Sequence, residues 1–155
     1  MEYLLNITRQ TRENFIRLIE NSTVEELNEI PAGFNNNIIW NFAHIVASQQ
    51  GLCYRLANVP LVVEKQYILP YTKGTRPEKF IGAEEINTIK ELMRSTITQL
   101  EQDLDSDKFT AYHTFKTDYG VEIKSTQEAV QFFVVHDALH YGIASAIKKV
   151  INNNK

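Results

Sequence analysis

Three of the four histidines in this chain sit where imidazole chemistry can be assembled: His44 in NNIIWNFAHIVASQQ, and His136 with His140 in TQEAVQFFVVHDALHYGIA. Both runs carry a helical period, and the three histidines fall on the apolar stripes. A buried polar ring without a partner costs several kcal/mol, so imidazole on an inward stripe needs something to satisfy its nitrogens. One divalent ion shared by three rings does so most economically. His136 and His140 lie about 40° apart around a helix axis and one turn apart along it. This is the i, i+4 spacing by which helices bind zinc elsewhere. His44 would join them from a facing helix, as metal sites in bundles are built. Three neutral imidazoles leave a coordination position free, a mark of catalytic rather than structural zinc. A plainer account stays open, in which each ring donates to a backbone carbonyl or a tyrosine hydroxyl and is only a satisfied core residue. The metal account requires the ring of residue 44 to lie within about 8 Å of the other two, given bonds near 2.1 Å.

The neighbours of these residues add less. His113, in the irregular AYHTFKT, reads as a loop residue with little claim on the site. Asp137 projects about 80° from the midpoint of His136 and His140; it is expected at the rim or facing solvent rather than orienting a ligand. Asn41, one turn before His44, reads as a polar helix position, with a hydrogen bond to that ring as the alternative. Glu128 is explained by a helix cap. Gly51 and Gly142 each cost about 1 kcal/mol relative to alanine inside a helix, and close helix approach is their expected reason. Cys53, the single cysteine, excludes an internal disulfide framework and reads as a small buried side chain. No side chain stands out as a nucleophile, so the catalytic residues are unassigned.

The elements that must position the histidines follow from periodicity. Leu4, Thr8, Thr11, Phe15 and Leu18 mark a first helix, and Thr23 with Glu26 has capping-box spacing before a short extra helical turn. Pro31 and Gly33 break the chain. A second helix starts near Asn35 or Asn36, good N-cap types, and runs to about Ala57. Residues 58–82 then form a long irregular connection with Pro60, Pro70 and Pro77, able to carry the chain along a bundle. Ile86, Ile89, Met93, Ile97, Leu100 and Leu104 mark a third helix. Phe115, Val121 and Ile123 around Asp118-Tyr119-Gly120 predict a small β-hairpin. Ser125 and Glu128 form a second capping box and open a fourth helix reaching about Ile151. The expected fold is all-α: a four-helix bundle with long crossover connections.

Size and charge bound the rest. The 155 residues suffice for one domain, spanning 1–155, and are too few for two. A net charge of −3 offers no basic field for a phosphate backbone, so no nucleic-acid partner is expected. No segment has the apolar length of a membrane span, and the N-terminus carries no secretory pattern; with one cysteine, a cytoplasmic location is expected.

The run Trp40-Asn41-Phe42-Ala43-His44-Ile45, with His136-Asp137-Ala138-Leu139-His140-Tyr141-Gly142 on the last helix, resembles the DinB/YfiT-like superfamily. Element order and length agree over nearly the whole chain. The resemblance implies a four-helix bundle with a crossover, frequently a homodimer. It also implies a divalent metal, often zinc or nickel, held by histidines that map to His44, His136 and His140. Characterised relatives include transferases and isomerases that use low-molecular-weight thiols such as bacillithiol or mycothiol. Relatives commonly carry Gly-Gln after the last histidine, where this chain has Gly142-Ile143, which weakens the case for shared chemistry. The expected function is therefore that of a metal-dependent enzyme, a thiol-dependent transferase or isomerase or a hydrolase, acting on a small molecule. Its ion would acidify a bound thiol or water. The alternative is a non-enzymatic dimeric bundle with a structural or sensing metal, or with none.

Overall fold

Helix α1 (Glu2–Glu20) opens the chain in the computed structural model, which describes residues 1–154. Its inward stripe is Leu5, Thr8, Arg12, Phe15, Ile16 and Ile19, an amphipathic pattern interrupted by one arginine. The short α2 (Val24–Asn28) is nucleated by the expected capping box. Thr23 Oγ1 accepts from the Glu26 amide at 3.2 Å, and the Glu26 carboxylate accepts from the Thr23 amide at 2.9 Å. Helix α3 (Ile38–Gln49) begins at Asn37, whose Oδ1 accepts from the Trp40 amide at 2.8 Å. Every α3 residue except Ser48 is buried, the polar Asn41, His44 and Gln49 included, so the helix is enclosed by its neighbours. It continues into a π-helical turn, Gln50–Arg55, and the chain leaves through Asn58 in the left-handed region (φ 57°).

Helix α4 (Ala83–Leu104) buries Ile86, Ile89, Met93, Ile97 and Leu100 on the predicted stripe, with Glu84 and Glu85 at its N-terminus complementing the dipole. The hairpin pairs β1 (Phe115–Lys116) antiparallel with β2 (Glu122–Ile123), Phe115 opposite Ile123. Gly120 turns it at φ +80°, where a Cβ would be strained. Helix α5 (Thr126–Asn153) closes the bundle. Its predicted capping box is split: Ser125 Oγ accepts from the Glu128 amide at 3.1 Å, but the Glu128 carboxylate accepts from the Lys124 amide at 2.7 Å.

Around the bundle the order is α1, α4, α3, α5, so α1 faces α3 and α4 faces α5 across the core. Helices α3 and α5, which carry the three histidines, are direct neighbours. The connection 58–82 is anchored along its length rather than looped into solvent. Gln50 Oε1 accepts from the Val62 amide at 2.9 Å, and the Asn28 side chain exchanges two hydrogen bonds with the Ile81 backbone at 2.7 and 2.9 Å. Two 3-10 turns, Lys65–Tyr67 and Leu69–Tyr71, bring its middle against α3. No helix among the described residues is long and apolar enough to cross a membrane.

Candidate metal centre

The last helix buries Val130, Phe133, Asp137, Ala144, Ile147 and Ile151. That seam is centred about 50° around the axis from the midpoint of His136 and His140. The two histidines consequently stand half-buried at the edge of the core, over the groove between α3 and α5. The seam position beside them is held by Asp137, fully buried, contrary to its expected place at the rim. Its Oδ2 accepts from Arg12 Nε at 2.9 Å, and both side chains are almost wholly withdrawn from solvent (1% and 0% exposed). Arg12 Nη1 donates further to Gln49 Oε1, the Met93 carbonyl and Thr96 Oγ1 at 2.9, 3.2 and 3.0 Å. One buried polar cluster thus joins α1, α3, α4 and α5 directly beneath the histidines.

His44 reaches the same groove from α3. Its ring centroid lies 5.2 Å from that of His136 and 4.6 Å from that of His140, and the latter two are 4.5 Å apart. One ligand nitrogen from each ring can be chosen so that all lie within 4.8 Å of one another. Two bonds of about 2.1 Å reach about 4 Å between ligands, so small side-chain adjustments bring the rings onto one ion. Among the described residues no other group of three or more His, Cys, Asp or Glu side chains converges this way.

The chain also orients these rings. Nδ1 of His44 lies 2.6 Å from the Tyr71 carbonyl, an acceptor only, so that nitrogen carries the proton. The lone pair of His44 is then on Nε2, where Ser48 Oγ meets it at 3.2 Å. His140 Nδ1 lies 2.8 Å from Asn41 Oδ1, which likewise leaves Nε2 as the free donor atom. Asn41, expected as a plain polar helix position with a bond to His44 as the alternative, thus serves His140; it is itself fixed by donating to Asn36 Oδ1 and the Asn37 carbonyl. Metal-binding histidines commonly spend one nitrogen on a protein acceptor in this way. His136 Nδ1 and Asp137 Oδ1 are both buried without a hydrogen-bond partner and face each other at 3.8 Å. The plain account of satisfied core histidines explains one nitrogen of His44 and of His140, and leaves this third ring unexplained. The donor set fits a divalent ion.

Trp40 lies against His44, its ring centroid 4.6 Å away and the planes 12° apart. The indole N–H donates to Thr75 Oγ1 at 3.2 Å. The connection 58–82, expected to carry the chain along the bundle, also supplies the Tyr71 carbonyl and the Thr75 hydroxyl that hold the α3 side of the site. His113 stays in an exposed loop, as predicted, and Cys53 is fully buried, which pushes its thiol pKa up. The glycines correct the expectation of close helix packing. A Cβ on Gly142 would meet nothing within 4 Å, and one on Gly51 would meet only the Arg55 guanidinium.

Burial lowers the pKa of His44 to about 4 and that of His140 to about 3; the neighbouring His136 adds to both shifts, while the Tyr71 bond opposes the first. Both rings are neutral at pH 7 and available as ligands. In the metal-free protein the unfolded chain takes up protons on these rings below about pH 6.5 while the folded chain resists, so stability is present above that pH and falls as pH drops toward 4. Urea denaturation between about pH 7 and pH 4 is expected to show a loss of several kcal/mol, and His140→Gln to flatten part of that slope. A level profile contradicts buried neutral rings.

The histidines line a cavity of about 390 Å³ whose other walls include Trp40, Ser48, Gly51, Arg55, Phe132 and Leu139, a size suited to a small molecule. A family model described as the DinB superfamily matches residues 7–144. Among solved structures, a conserved protein from Enterococcus faecalis superposes with a TM-score of 0.67 at 12% identity, over 98% of this chain and 96% of that chain. At that identity the likeness speaks for the fold. No curated protein matches the chain.

Proposed function

The chain belongs to the DinB superfamily, and on that premise we propose that it is a metal-dependent enzyme acting on a small molecule, with His44, His136 and His140 as the ligands of one zinc or nickel ion. The observation that carries this reading is the convergence of three imidazoles, two of them oriented by hydrogen bonds, at the wall of a cavity large enough for a substrate. When bound, the ion supplies Lewis acidity, lowering the pKa of a thiol or water at the position three imidazoles leave open. The chain's own residues present the site. The Tyr71 carbonyl and Asn41 set the tautomers of His44 and His140, and Trp40 covers one face of the His44 ring. Ser48, at His44 Nε2, is placed to hydrogen-bond a group arriving there. Because the cavity offers no cysteine, a thiol reaction there needs a low-molecular-weight thiol as cosubstrate. The assembly is proposed to be a homodimer, for which Val135 and Leu139 supply exposed apolar surface on α5.

The competing reading is a bundle whose metal is structural or sensing. It draws on the cavity lining, where among the described residues Asp118 is the only carboxylate and is already paired with Lys73 at 2.6 Å. Turnover separates the two. Zinc- or nickel-loaded protein, given a small thiol and a small electrophile, is expected to consume thiol at a rate that His140→Ala abolishes. Stoichiometric metal with no metal-dependent consumption of any thiol or hydrolysable substrate supports the non-enzymatic bundle instead.

A further inference from the structure

We propose that the cavity over the three histidines takes an anionic small molecule, one bearing a carboxylate, and that Arg55 is the residue that recognises that group. The inference rests on the metal reading only for where the other end of the molecule sits. It begins with Gly51. A glycine inside a helix costs about 1 kcal/mol relative to alanine, and no atom of a neighbouring helix lies within 4 Å of where its Cβ would stand. What occupies the space is the side chain of Arg55: its Nη2 lies 3.4 Å, and its Cζ 4.0 Å, from where a Cβ on residue 51 would stand. The guanidinium is folded back along its own helix, toward Ser48 and His44 and over the cavity that all four residues line.

Residues four apart meet on a helix face, and here they do so within the π-helical turn Gln50–Arg55. The Leu56 amide donates to the Gly51 carbonyl, five residues back, at 3.1 Å, and such turns are frequent at functional sites. Residue 55 lies one turn beyond residue 51, and its side chain turns back over it.

Charge then selects the ligand. Three charged side chains line the cavity: Arg55, Lys73 and Asp118. Lys73 and Asp118 neutralise each other. The Arg55 side chain makes no hydrogen bond or ion pair within the described residues, which leaves one unspent positive charge and no free carboxylate. An ion on three neutral imidazoles adds charge of the same sign. A guanidinium presents a planar fork of donors matched to a carboxylate, while Leu52, Phe115, Phe132 and Leu139 give an apolar wall for the body of the molecule.

The test uses full-length protein loaded with cobalt(II), whose visible spectrum reports ligation, titrated with 3-mercaptopropionate and with the neutral 3-mercaptopropan-1-ol. The carboxylated thiol is expected to bind roughly tenfold tighter, the scale of a charge-assisted hydrogen bond, with a margin that shrinks as salt rises. Arg55→Gln is expected to erase that preference while leaving the affinity for the neutral thiol unchanged; Lys73→Gln is expected to keep it. Arg55 is exposed, so its replacement leaves the core intact. Equal binding of the two thiols by the parent, or a preference that survives Arg55→Gln, overturns the proposal. Failure of cobalt to bind, or of either thiol to perturb its spectrum, counts against the metal reading instead. Arg55 is then read on metal-free protein by NMR titration with 3-phenylpropionate: shifts lost in Arg55→Gln support the anion site, and absence of binding overturns it.

Discussion

Asp137→Ala is expected to lower the unfolding free energy by about 3–5 kcal/mol, the cost of leaving a buried charge without its partner. The partner is Arg12, which is 1% exposed and whose guanidinium is fixed by Gln49, Thr96 and the Met93 carbonyl. With the carboxylate gone, nothing neutralises that charge, and water cannot reach it without parting α1 from α5. Surface pairs such as Arg94–Glu13, 53% and 40% exposed, are worth about 0–1 kcal/mol at most; the difference is burial. Urea denaturation of Asp137→Ala, and of the cycle formed by Asp137→Leu, Arg12→Met and Arg12→Met/Asp137→Leu, checks the claim. The double variant is expected to recover most of the loss, because apolar replacements carry no desolvation penalty, and the cycle isolates the coupling. A single-variant cost below about 1 kcal/mol contradicts a buried, ionised pair. Asp137 Oδ1 also faces His136 Nδ1, so the same variant is expected to weaken metal binding, with losses at such supporting residues typically about 10–100-fold.

Trp40→Ala carries the second large effect. The indole is 5% exposed, lies against His44 and donates to Thr75. Removing it takes away a large buried apolar surface, leaves a cavity and frees the His44 ring on one face. A loss of about 3–5 kcal/mol is expected from cavity formation alone, with metal affinity reduced as well because His44 is no longer held in one plane. Trp40→Phe retains an aromatic face and gives up the N–H bond, so its cost is expected near 1 kcal/mol in addition to a modest packing loss. Thermal melts and metal titrations on the two variants read the contrast. Equal behaviour of Ala and Phe at position 40 contradicts a role for the stacked face.

The histidines were legible in the sequence because their signal is local: two rings four apart on one helix, and a third on another apolar run. The capping box of Thr23 and Glu26 was legible for the same reason, as was the turn at Gly120. Arg12 and Asp137 were not. Each alone reads as a solvent-facing charge, and only their pairing across 125 residues of chain makes burial tolerable. Placing Asp137 in the seam turned the inward face of α5 away from the stripe of His136 and His140 and set both at the core's edge. The Tyr71 carbonyl was invisible because a backbone acceptor has no residue signature. The π-helical turn at Gln50–Arg55 breaks the 3.6-residue period on which helix reading depends, and the return of Arg55 over Gly51 rests on a side-chain conformation that spacing does not fix.

Metal content tests the central claim most directly. Protein purified without an affinity tag and equilibrated with zinc or nickel is expected to hold about one equivalent of metal per chain, by elemental analysis after gel filtration, in keeping with one site of three imidazoles. His136→Ala is expected to retain its far-ultraviolet circular dichroism while losing that metal. Parent protein that binds no ion, or a variant that binds as much as the parent, contradicts the proposal that His44, His136 and His140 share one cation.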